Sequence, residues 1–474
     1  MFVTYCEEGV GTMASPKFYI RTYGCQMNER DSQIMAGQLQ QMGYERADKE
    51  TSADLIIVNT CAVRGSAEEH AFGYIGQLKQ LKDEKPQMRL AVAGCMSQEP
   101  GTVAWLKKHA SHVDLVFGTH NLHELPKLLD EVEQHDEMVV DVWKSAGEVV
   151  EHLPSQRAEG VQAFVNIIYG CDKFCTYCIV PFTRGKERSR EVAAIVEEVQ
   201  SLAREGYQDI TVLGQNVNSY GHDLNPAVDL GDLLQELEKI DGVRWLRYTT
   251  SHPRDFSSRL IEVIAASEKI THHVHLPVQA GSNAILKRMN RKYTREHYLD
   301  LIDQVKRAIP DVTLTTDIIV GFPGETEEDF EQTLDLVRTV RYDAAFTFLY
   351  SPREGTPAAR WEGRDPVPNP VKKERLNRLM ELQYQISWEA NQRLIGRTEL
   401  VLIEGLSKKN PNVWAGRTQS NKVVLVARDP AEDLIDRFVP VKITEAKTFY
   451  LAGQVAGKPV SDVSPRRRVE LPLV

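Results

Sequence analysis

The chain has 474 residues, which is enough for about three domains of ordinary size. Hydrophobic residues make up 42% and charged residues 26%, as in soluble globular proteins, and no apolar run approaches the roughly 20 residues of a membrane span. The N-terminus lacks a secretory signal pattern, so we expect a cytoplasmic protein. We also expect it to act as a monomer. Seven cysteines are too few for a disulfide framework and indicate metal binding or catalysis.

Charge is distributed unevenly along the chain. The net charge is −10, yet the residues from Val371 to the end contain 18 Lys and Arg against 12 Asp and Glu. The preceding 370 residues therefore carry a net charge of −16. A basic terminal segment on an acidic body is typical of a phosphate-binding appendage, although a solvated basic tail would show the same balance.

Three strand-like runs near the N-terminus each end in a cysteine. The runs are Phe18–Cys25, Leu55–Cys61 and Leu90–Cys95. The helix-like stretches that follow them are Asp31–Met42, Ala67–Leu81 and Val103–His109. This alternation predicts an open parallel sheet, whose carboxyl ends would gather Cys25, Cys61 and Cys95 at one edge. Independent buried cysteines are the alternative. The residues before Lys17, including Cys6 and an alternative start at Met13, are predicted to be loosely ordered.

A second cysteine group follows an acidic connection at about residues 126 to 160. Cys171, Cys175 and Cys178 have the spacing C-x3-C-x2-C. In so compact a loop each thiolate can ligate a different iron of one iron–sulfur cube, and one iron stays open because no fourth cysteine follows nearby. A structural zinc site, which needs four ligands, and simply buried thiols are the alternatives.

Six strand-like runs alternate with amphipathic stretches from Phe164 onward, which predicts a partial (β/α)6 TIM-like barrel. The runs are Phe164–Tyr169, Asp209–Val217, Trp245–Ser251, His272–Gln279, Thr313–Val320 and Tyr342–Tyr350. The active site of such a barrel lies at the carboxyl ends of its strands. The polar residues there are Gln215, Asn216, Ser251, Gln279, Asp317 and Tyr350, although each could instead cap a strand or form a turn.

Three histidines on the fourth run invite a metal interpretation. Only His273 and His275 can share a strand face, and no second pair of ligands accompanies them. We therefore interpret His272, His273 and His275 as polar lining of the barrel mouth.

The chain changes character after Ala390, where β-rich runs predict a small antiparallel β-barrel. The runs are Glu399–Glu404, Lys422–Val426 and Phe438–Ile443. The segment Trp414–Val424 mixes basic and polar groups on a turn, and small barrels with basic faces bind oligonucleotides. We assign Arg466, Arg467 and Arg468 to a disordered tail.

Taken together, these features resemble the methylthiotransferase family of radical S-adenosylmethionine (SAM) enzymes. The resemblance covers Lys17 to about Gly453. The segments that carry it are Thr22–Asn28, Asn59–Arg64, Gly94–Met96, Cys171–Arg184, Gly214–Tyr220, Leu276–Ser282 and Ser351–Thr356. The domains it implies are an extension (1–16), an N-terminal methylthiotransferase domain (17–134), a linker (135–156), a radical SAM domain (157–388), an RNA-binding TRAM domain with an OB-like barrel (390–454) and a tail (455–474).

The resemblance also implies two [4Fe-4S] clusters. Cys171, Cys175 and Cys178 would hold the radical SAM cluster, and Cys25, Cys61 and Cys95 an auxiliary cluster that carries the sulfur to be delivered. One SAM would donate a methyl group and a second would yield the 5′-deoxyadenosyl radical. The six strand-end polar residues named above would hold SAM, and the RNA backbone contacts would come from Arg417, Asn421 and Lys422.

The tRNA-modifying members of the family insert a methylthio group at C2 of N6-dimethylallyl (isopentenyl) adenosine beside the anticodon. The segments Thr22–Asn28 and Gly214–Tyr220 favour that activity over modification of a ribosomal protein. The implied partners are a tRNA anticodon stem-loop, an external electron donor and a sulfur source.

Two other functions remain open at this point. One is a methylthiotransferase acting on a ribosomal protein or on threonylcarbamoylated adenosine. The other is a non-catalytic electron carrier with two clusters and an RNA-binding module. The carrier is disfavoured, because carriers normally close all four cluster positions with protein ligands.

Overall fold

The computed structural model describes residues 15–62, 65–99 and 101–460. They form two compact units, one running to Ser145 and including His152–Gln156, the other containing Ala146–Glu151 and the residues from Arg157 onward. The predictions for Cys6, Met13 and the tail arginines fall outside the described residues. Among the residues described, no helix is long and apolar enough to cross a bilayer.

The first unit is built on a six-stranded parallel sheet, with the strand order β2-β1-β3-β4-β5-β6. The strands are β1 (Lys17–Thr22), β2 (Glu45–Arg46), β3 (Leu55–Thr60), β4 (Arg89–Gly94), β5 (Leu115–Phe117) and β6 (Val139–Asp141). The central strand β3 is buried along its whole length: Leu55 and Ile57 face one apolar core, and Ile56 and Val58 face another. Both faces of the sheet are therefore covered, as expected for an open parallel α/β sheet.

Four helices cover these faces. They are α1 (Gln26–Gln41), α2 (Gly65–Glu84), α3 (Thr102–His109) and α4 (Leu125–Gln134). Met35 of α1 and Leu128 of α4 pack in one core, whereas Ile75 of α2 and Leu106 of α3 pack in the other. Helix α1 begins five residues before the predicted start, directly after Cys25, so this cysteine stands at the junction of strand end and helix.

The second unit begins with two three-stranded parallel sheets, of order β11-β10-β7 and β12-β13-β14. The six strands are β7 (Gln162–Asn166), β10 (Asp209–Leu213), β11 (Trp245–Tyr248), β12 (His273–His275), β13 (Thr313–Val320) and β14 (Ala344–Leu349). A separate antiparallel pair is formed by β8 (Ile168–Tyr169) and β9 (Arg188–Ser189). An isolated parallel bridge between Leu246 and Ile270 joins β11 to the segment that leads into β12. The predicted partial (β/α)6 barrel is confirmed.

Helices α6 (Val192–Arg204), α7 (Leu230–Glu238), α8 (Ser258–Ala266), α10 (Arg295–Ala308), α11 (Glu327–Val340) and α13 (Asn369–Gln392) pack on one face of these strands. The shorter helices of this region are α5 (Val180–Thr183), α9 (Asn283–Arg288) and α12 (Pro357–Glu362). Val165, Ile210, Leu246, Val274 and Ile318 face the helices in one continuous core. The alternate positions of each strand consequently point to the opposite face, which is the inner face of the barrel.

One predicted strand is much shorter than expected. The run His272–Gln279 forms a strand only as β12, because Pro277 cannot donate a ladder hydrogen bond. The chain returns to β13 at Gln279, which has a positive φ of 75° and donates its N–H to the Asp317 carbonyl at 2.9 Å. At Gln279 the backbone therefore changes direction and pairs again with β13.

The second unit ends in a closed five-stranded barrel of order β15-β16-β17-β19-β18. The strands are β15 (Thr398–Ser407), β16 (Asn410–Thr418), β17 (Val423–Ala427), β18 (Phe438–Ala446) and β19 (Leu451–Val455). The predicted small antiparallel barrel is confirmed. All neighbouring pairs are antiparallel except β17 and β19, which are parallel. Trp414 lies inside β16 and is buried in the barrel core, and the predicted turn is confined to 419–422.

Candidate active site

The loop that carries the second cysteine group is closed at its base by strands β8 and β9. Ile168 pairs with Ser189 and Tyr169 with Arg188, so the chain leaves and re-enters this short antiparallel pair around the cysteines. Gly170 turns the chain into the loop with a φ of 78°, and a Cβ there would lie 2.0 Å from the Lys186 carbonyl oxygen. Only glycine fits this position.

The cysteine loop is also tied to the end of helix α9. Thr176 makes two of these contacts: its N–H donates to the Met289 carbonyl at 3.1 Å, and its hydroxyl donates to the Arg288 carbonyl at 2.9 Å. Asn290 donates from its side chain to the Phe174 carbonyl at 2.9 Å. The Cys178 N–H donates to the Cys175 carbonyl at 2.9 Å, so these two cysteines lie on one tight turn.

The donor set of this loop suits an iron–sulfur cluster. Burial raises the pKa of Cys171 and of Cys178 to about 12, so these thiols would ionise only when a cation binds them. No three His, Cys, Asp or Glu side chains of the described residues converge on a point as ligands of a single metal ion would. A [4Fe-4S] cluster does not require such convergence, because each thiolate binds a different iron.

A buried arginine stands beside this donor set. Arg291 is 4% exposed, and its guanidinium Nη1 lies 3.4 Å from the Cys175 sulfur. The same guanidinium donates to the Pro277 carbonyl at 2.7 Å and to the Tyr293 hydroxyl at 3.0 Å. Its positive charge would offset the negative charge of a thiolate-bound cluster. Nothing in the sequence spacing marked Arg291, since 116 residues separate it from Cys175.

Two of the predicted SAM-binding residues support the loop itself. Gln215 accepts a hydrogen bond from the Gly170 N–H at 2.5 Å. Asn216 donates to Asp255 at 3.0 Å, and Asp255 forms a 2.7 Å ion pair with Lys173 of the cysteine loop. The loop after β10 therefore holds the cysteine loop from two sides. Lys173 lies within the cysteine motif, but its partner Asp255 could not be identified from sequence.

Two further candidates present unsatisfied hydroxyl groups. Within the described chain the buried hydroxyls of Ser251 and Tyr350 have no hydrogen-bond partner, and neither has Oδ1 of Asn216. Buried polar groups are normally paired, so these atoms fit contacts to a polar ligand such as SAM. Asp317 is different, because its carboxylate lies 3.5 Å from Nε2 of His275 on the inner barrel face.

The inner face also holds the histidines that invited a metal interpretation. His273 and His275 both contact the Thr315 hydroxyl, each at 2.9 Å. Burial lowers the pKa of His273 to about 3, so this ring is neutral at physiological pH. The two rings line the inner face as polar groups with a shared partner.

The three N-terminal cysteines follow three adjacent strands. Thr22 pairs with Asn59 across β1 and β3, and Thr60 pairs with Gly94 across β3 and β4. Cys61 and Cys95 directly follow paired residues of β3 and β4. A Cβ placed on Gly24 would lie 3.0 Å from the Cys61 Cβ, which brings the Cys25 segment against Cys61. The predicted gathering at one sheet edge matches this geometry.

Two asparagines fix this sheet edge. The buried Asn28 side chain donates to the Thr60 carbonyl at 3.0 Å, and its oxygen accepts the Cys25 N–H at 3.4 Å. Asn59 donates to the Asn28 carbonyl at 2.8 Å and to the Ser32 hydroxyl at 2.9 Å. Cys61 and Cys95 are buried, whereas Cys25 is exposed. Three thiols at one sheet edge would suit a second cluster with one open iron.

The three RNA-binding candidates of the C-terminal barrel differ in availability. Arg417 is 39% exposed and lies 3.3 Å from Glu404, and it also donates to the Asn421 side chain at 3.3 Å. Asn421 occupies the turn with a φ of 65°. Lys422 is only 12% exposed, and its ammonium binds Asp343 at 2.8 Å and Asn391 at 2.9 Å. Arg417 is therefore the better placed of the two cations for an RNA phosphate.

Comparison with known proteins matches each part of this architecture. Residues 17–118 match the uncharacterized protein family UPF0004, residues 165–337 the radical SAM superfamily, and residues 392–456 the TRAM domain. The chain also resembles the solved radical SAM methyltransferase TsrM of Kitasatospora setae, with a TM-score of 0.54, 15% identity, and coverage of 73% of this chain and 74% of that one. At that identity the likeness shows the fold alone.

Two relatives match over almost the whole length. One is the tRNA-2-methylthio-N(6)-dimethylallyladenosine synthase of Geobacillus thermodenitrificans, 54% identical over 96% of this chain and 87% of the relative. The other is the synthase of the same name from Carboxydothermus hydrogenoformans, 53% identical over 93% of this chain and 99% of the relative. The chain therefore belongs to the tRNA-2-methylthio-N(6)-dimethylallyladenosine synthase family of radical SAM methylthiotransferases.

Proposed function

We propose that this chain adds a methylthio group to C2 of N6-dimethylallyladenosine next to the tRNA anticodon. One SAM serves as methyl donor and a second as source of the 5′-deoxyadenosyl radical. The observation that supports the proposal is that Cys25, Cys61 and Cys95 stand at the carboxyl ends of three adjacent parallel strands, in a chain that also holds a radical SAM cysteine loop. A radical SAM enzyme that transfers sulfur needs such a second site.

The reaction explains why two cysteine groups are present. The C2–H bond of adenine has no acidic proton, so general acid–base chemistry cannot open it, and a radical must remove the hydrogen. When bound, the clusters would supply the electron that cleaves SAM and the sulfur that is delivered. The hydrogen from C2 passes to the 5′-deoxyadenosyl carbon, and a carbon–sulfur bond replaces the carbon–hydrogen bond.

Side chains of this chain would hold the radical SAM cluster and SAM. Cys171, Cys175 and Cys178 would hold the radical SAM cluster, and Gln215 and the Lys173–Asp255 ion pair keep their loop in position. The free hydroxyls of Ser251 and Tyr350 are suited to SAM, as is the edge formed by Gln279 and Asp317. Asn216 contributes through Asp255 and through its unpaired oxygen.

The substrate we propose is the anticodon stem-loop. A base has to be splayed from its neighbours to enter a barrel mouth, which unpaired loop nucleotides can do. The C-terminal barrel would contact the RNA backbone through the Arg417–Asn421 turn, with Lys422 holding that turn on the central barrel. An external electron donor and a sulfur source complete the reaction.

The two alternatives are disfavoured for different reasons. An electron carrier would close every cluster position with protein ligands, whereas each cysteine group here offers three thiols. A methylthiotransferase for a ribosomal protein or for threonylcarbamoylated adenosine would share both cysteine groups. Against it stands the identity of 54% to a synthase named for dimethylallyladenosine.

Nucleoside mass spectrometry of tRNA tests the function. Cells that lack this chain should accumulate N6-dimethylallyladenosine, and the wild-type chain should convert it to the 2-methylthio form. Accumulation of a different unmodified nucleoside would contradict the proposed substrate.

The division of labour between the cysteine groups has its own test. Anaerobic reconstitution should give about eight irons per chain, and about four in the variants Cys61→Ala and Cys175→Ala. Cys175→Ala should abolish SAM cleavage, whereas Cys61→Ala should keep cleavage and lose sulfur insertion. Equal loss of cleavage in both variants would contradict this assignment.

A further inference from the structure

Strand β14 exposes two phenylalanines on one of its faces. Phe346 is 55% exposed and Phe348 is 37% exposed. The strand alternates strictly, with Ala344, Phe346 and Phe348 exposed and the intervening residues half-buried. Among the strands of the (β/α)6 barrel that the structure describes, no others carry an exposed large apolar side chain. Two phenylalanines in register on one face form a contiguous apolar strip.

Strand register places this strip on the inner face of the barrel. Asp317 of β13 pairs with Phe346, and Ile319 pairs with Phe348. Partners in parallel strands point to the same side, and Asp317 also contacts His275 at 3.5 Å. The His275 ring meets the Phe346 ring edge-on, with centroids 6.0 Å apart. The strip therefore lies beside groups that we assign to the active site.

The upper end of the strip leads toward the cysteine loop. Ile319, the partner of Phe348, packs in an apolar cluster that contains Tyr350 and Phe322. Tyr177, which lies between Cys175 and Cys178, packs against the same cluster, with its ring 6.4 Å from that of Phe322. A ligand lying on Phe346 and Phe348 would thus be close to the SAM-binding candidates and to the cysteine turn.

We propose that Phe346 and Phe348 bind the dimethylallyl group on N6 of the substrate adenosine and thereby select the prenylated nucleoside. The inference rests on the proposed function. The dimethylallyl group is a branched five-carbon alkene without a hydrogen-bonding atom, so it needs an apolar contact. An exposed aromatic strip next to Asp317 and His275 offers that contact while the polar groups remain for the base and for SAM. Burial of both partners removes apolar surface from water, which favours the prenylated over the unmodified adenosine.

The strip explains discrimination that a purely polar pocket could not achieve. Removing even one methylene group from a ligand in an apolar pocket typically costs about 10- to 200-fold in selectivity. With such a factor the enzyme would act mainly on adenosine that already carries the prenyl group. A reaction that adds a prenyl group to the N6 amine must therefore precede this one.

The test compares two anticodon stem-loop oligonucleotides that differ only in the dimethylallyl group. Dissociation constants are measured for the reconstituted wild-type protein and for Phe346→Ala, Phe348→Ala and the double variant, in the presence of SAM. The wild type should bind the prenylated loop at least about 10-fold more tightly. The double variant should lose this preference while its affinity for the unmodified loop stays within about twofold, and Phe346→Leu should retain most of it.

Thr347→Ala is the matched control, since Thr347 lies on the same strand and points to the opposite face. It should keep the wild-type preference. When the RNA concentration is varied, the KM for the prenylated loop should rise in the phenylalanine variants by a larger factor than kcat falls. Thermal unfolding and iron content should stay close to those of the wild type, because Phe346 is more than half exposed and Phe348 more than a third exposed.

Three results would overturn the inference: equal binding of both loops by the wild type, an unchanged preference in the double variant, or a parallel loss of affinity for both loops. The last result would indicate a general structural role of the strip. Failure of the proposed function is recognised separately, by the absence of a 2-methylthio product from the wild-type protein on either loop.

Discussion

A single guanidinium distinguishes the cysteine loop from an ordinary buried turn. Arg291 stands 3.4 Å from the Cys175 sulfur and is held there by Pro277 and Tyr293. Hydrogen bonds and positive charge at cluster sulfurs stabilise the reduced, more negative cluster. Arg291→Met should therefore lower the reduction potential of the radical SAM cluster, by about 60 mV if the contact is worth about 1.4 kcal/mol to the reduced form.

The measurement is a potentiometric titration followed by electron paramagnetic resonance. It is made in a Cys61→Ala background so that one cluster dominates the signal. Arg288→Met is the control, because Arg288 is 36% exposed and pairs with Asp365. A potential that is equal in the two variants would mean that Arg291 only packs against the loop.

Glu325 gives a pH dependence that can be assigned to one carboxyl group. Burial raises the pKa of Glu325 to about 7, even though Arg375 lies 3.0 Å from its carboxylate. Between about pH 4.5 and pH 7 the folded chain then binds one more proton than the unfolded chain, so stability falls as the pH rises. Relative to Glu325→Gln, the wild type should lose on the order of 3 kcal/mol across this window.

Chemical denaturation at pH 5 and at pH 7.5 measures this difference. Glu327→Gln is the matched control, because Glu327 binds the same Arg375 but is 48% exposed, and hydrogen bonding from Arg378 lowers its pKa. It should show the wild-type pH dependence. A pH dependence that survives in Glu325→Gln would assign the titration to another group.

At the residue scale, the sequence offers candidates where the signal is local. Cys171, Cys175 and Cys178 were identifiable because metal ligands at short spacing form a recognisable pattern. Arg291 and Asp255 were missed because each reaches the loop from a distant segment, and one arginine or aspartate among many carries no pattern. Lys422 was predicted to contact RNA, and in the structure its ammonium binds Asp343 and Asn391.

At the scale of elements, the sheet edge that carries Cys25, Cys61 and Cys95 depends on Asn28. This side chain is fully buried and joins α1 to the end of β3 through the Thr60 carbonyl. Asn28→Leu would remove the side-chain donor to that carbonyl and to the Asn59 side-chain oxygen, at a cost of about 1–3 kcal/mol. We expect the variant to lose iron from the auxiliary site while the radical SAM site keeps its iron.

Iron is counted in a background in which Cys171, Cys175 and Cys178 are replaced by alanine, so that only the N-terminal group can bind. The parent should hold about four irons and Asn28→Leu fewer. Gln40→Ala, an exposed change on the same helix, should match the parent. Full retention of iron in Asn28→Leu would show that the cysteines hold the site without this support.

Helices and strands whose hydrophobic period and length are unambiguous could be predicted from the sequence. The alternating strands and helices of both α/β regions followed from hydrophobic pattern, and β13 begins and ends at the predicted residues. The run His272–Gln279 failed because Pro277 interrupts pairing while the apolar pattern continues. The parallel pairing of β17 with β19 depends on barrel closure, which a short-range pattern does not encode.

At the scale of the whole molecule, the C-terminal barrel and the (β/α)6 barrel share contacts that the order of domains along the chain does not reveal. Arg247 of β11 donates to the Thr418 and Gln419 carbonyls at 3.2 and 2.9 Å, and Lys422 binds Asp343 at the start of β14. Complete removal of the C-terminal barrel would therefore strip partners from the barrel that holds the active site. RNA binding is better examined by single charge changes.

Arg417 and Lys422 provide that comparison. Arg417 is exposed on the turn, so Arg417→Gln should weaken tRNA binding and reduce the slope of log affinity against log salt by about 0.7 to 0.9, the value for one phosphate contact. Lys422→Met should leave that slope unchanged, because its ammonium is already neutralised by Asp343, and should instead lower the melting temperature. Binding is measured between about 50 and 200 mM salt. If Lys422→Met changes the slope and Arg417→Gln does not, the RNA backbone lies on the other side of this turn.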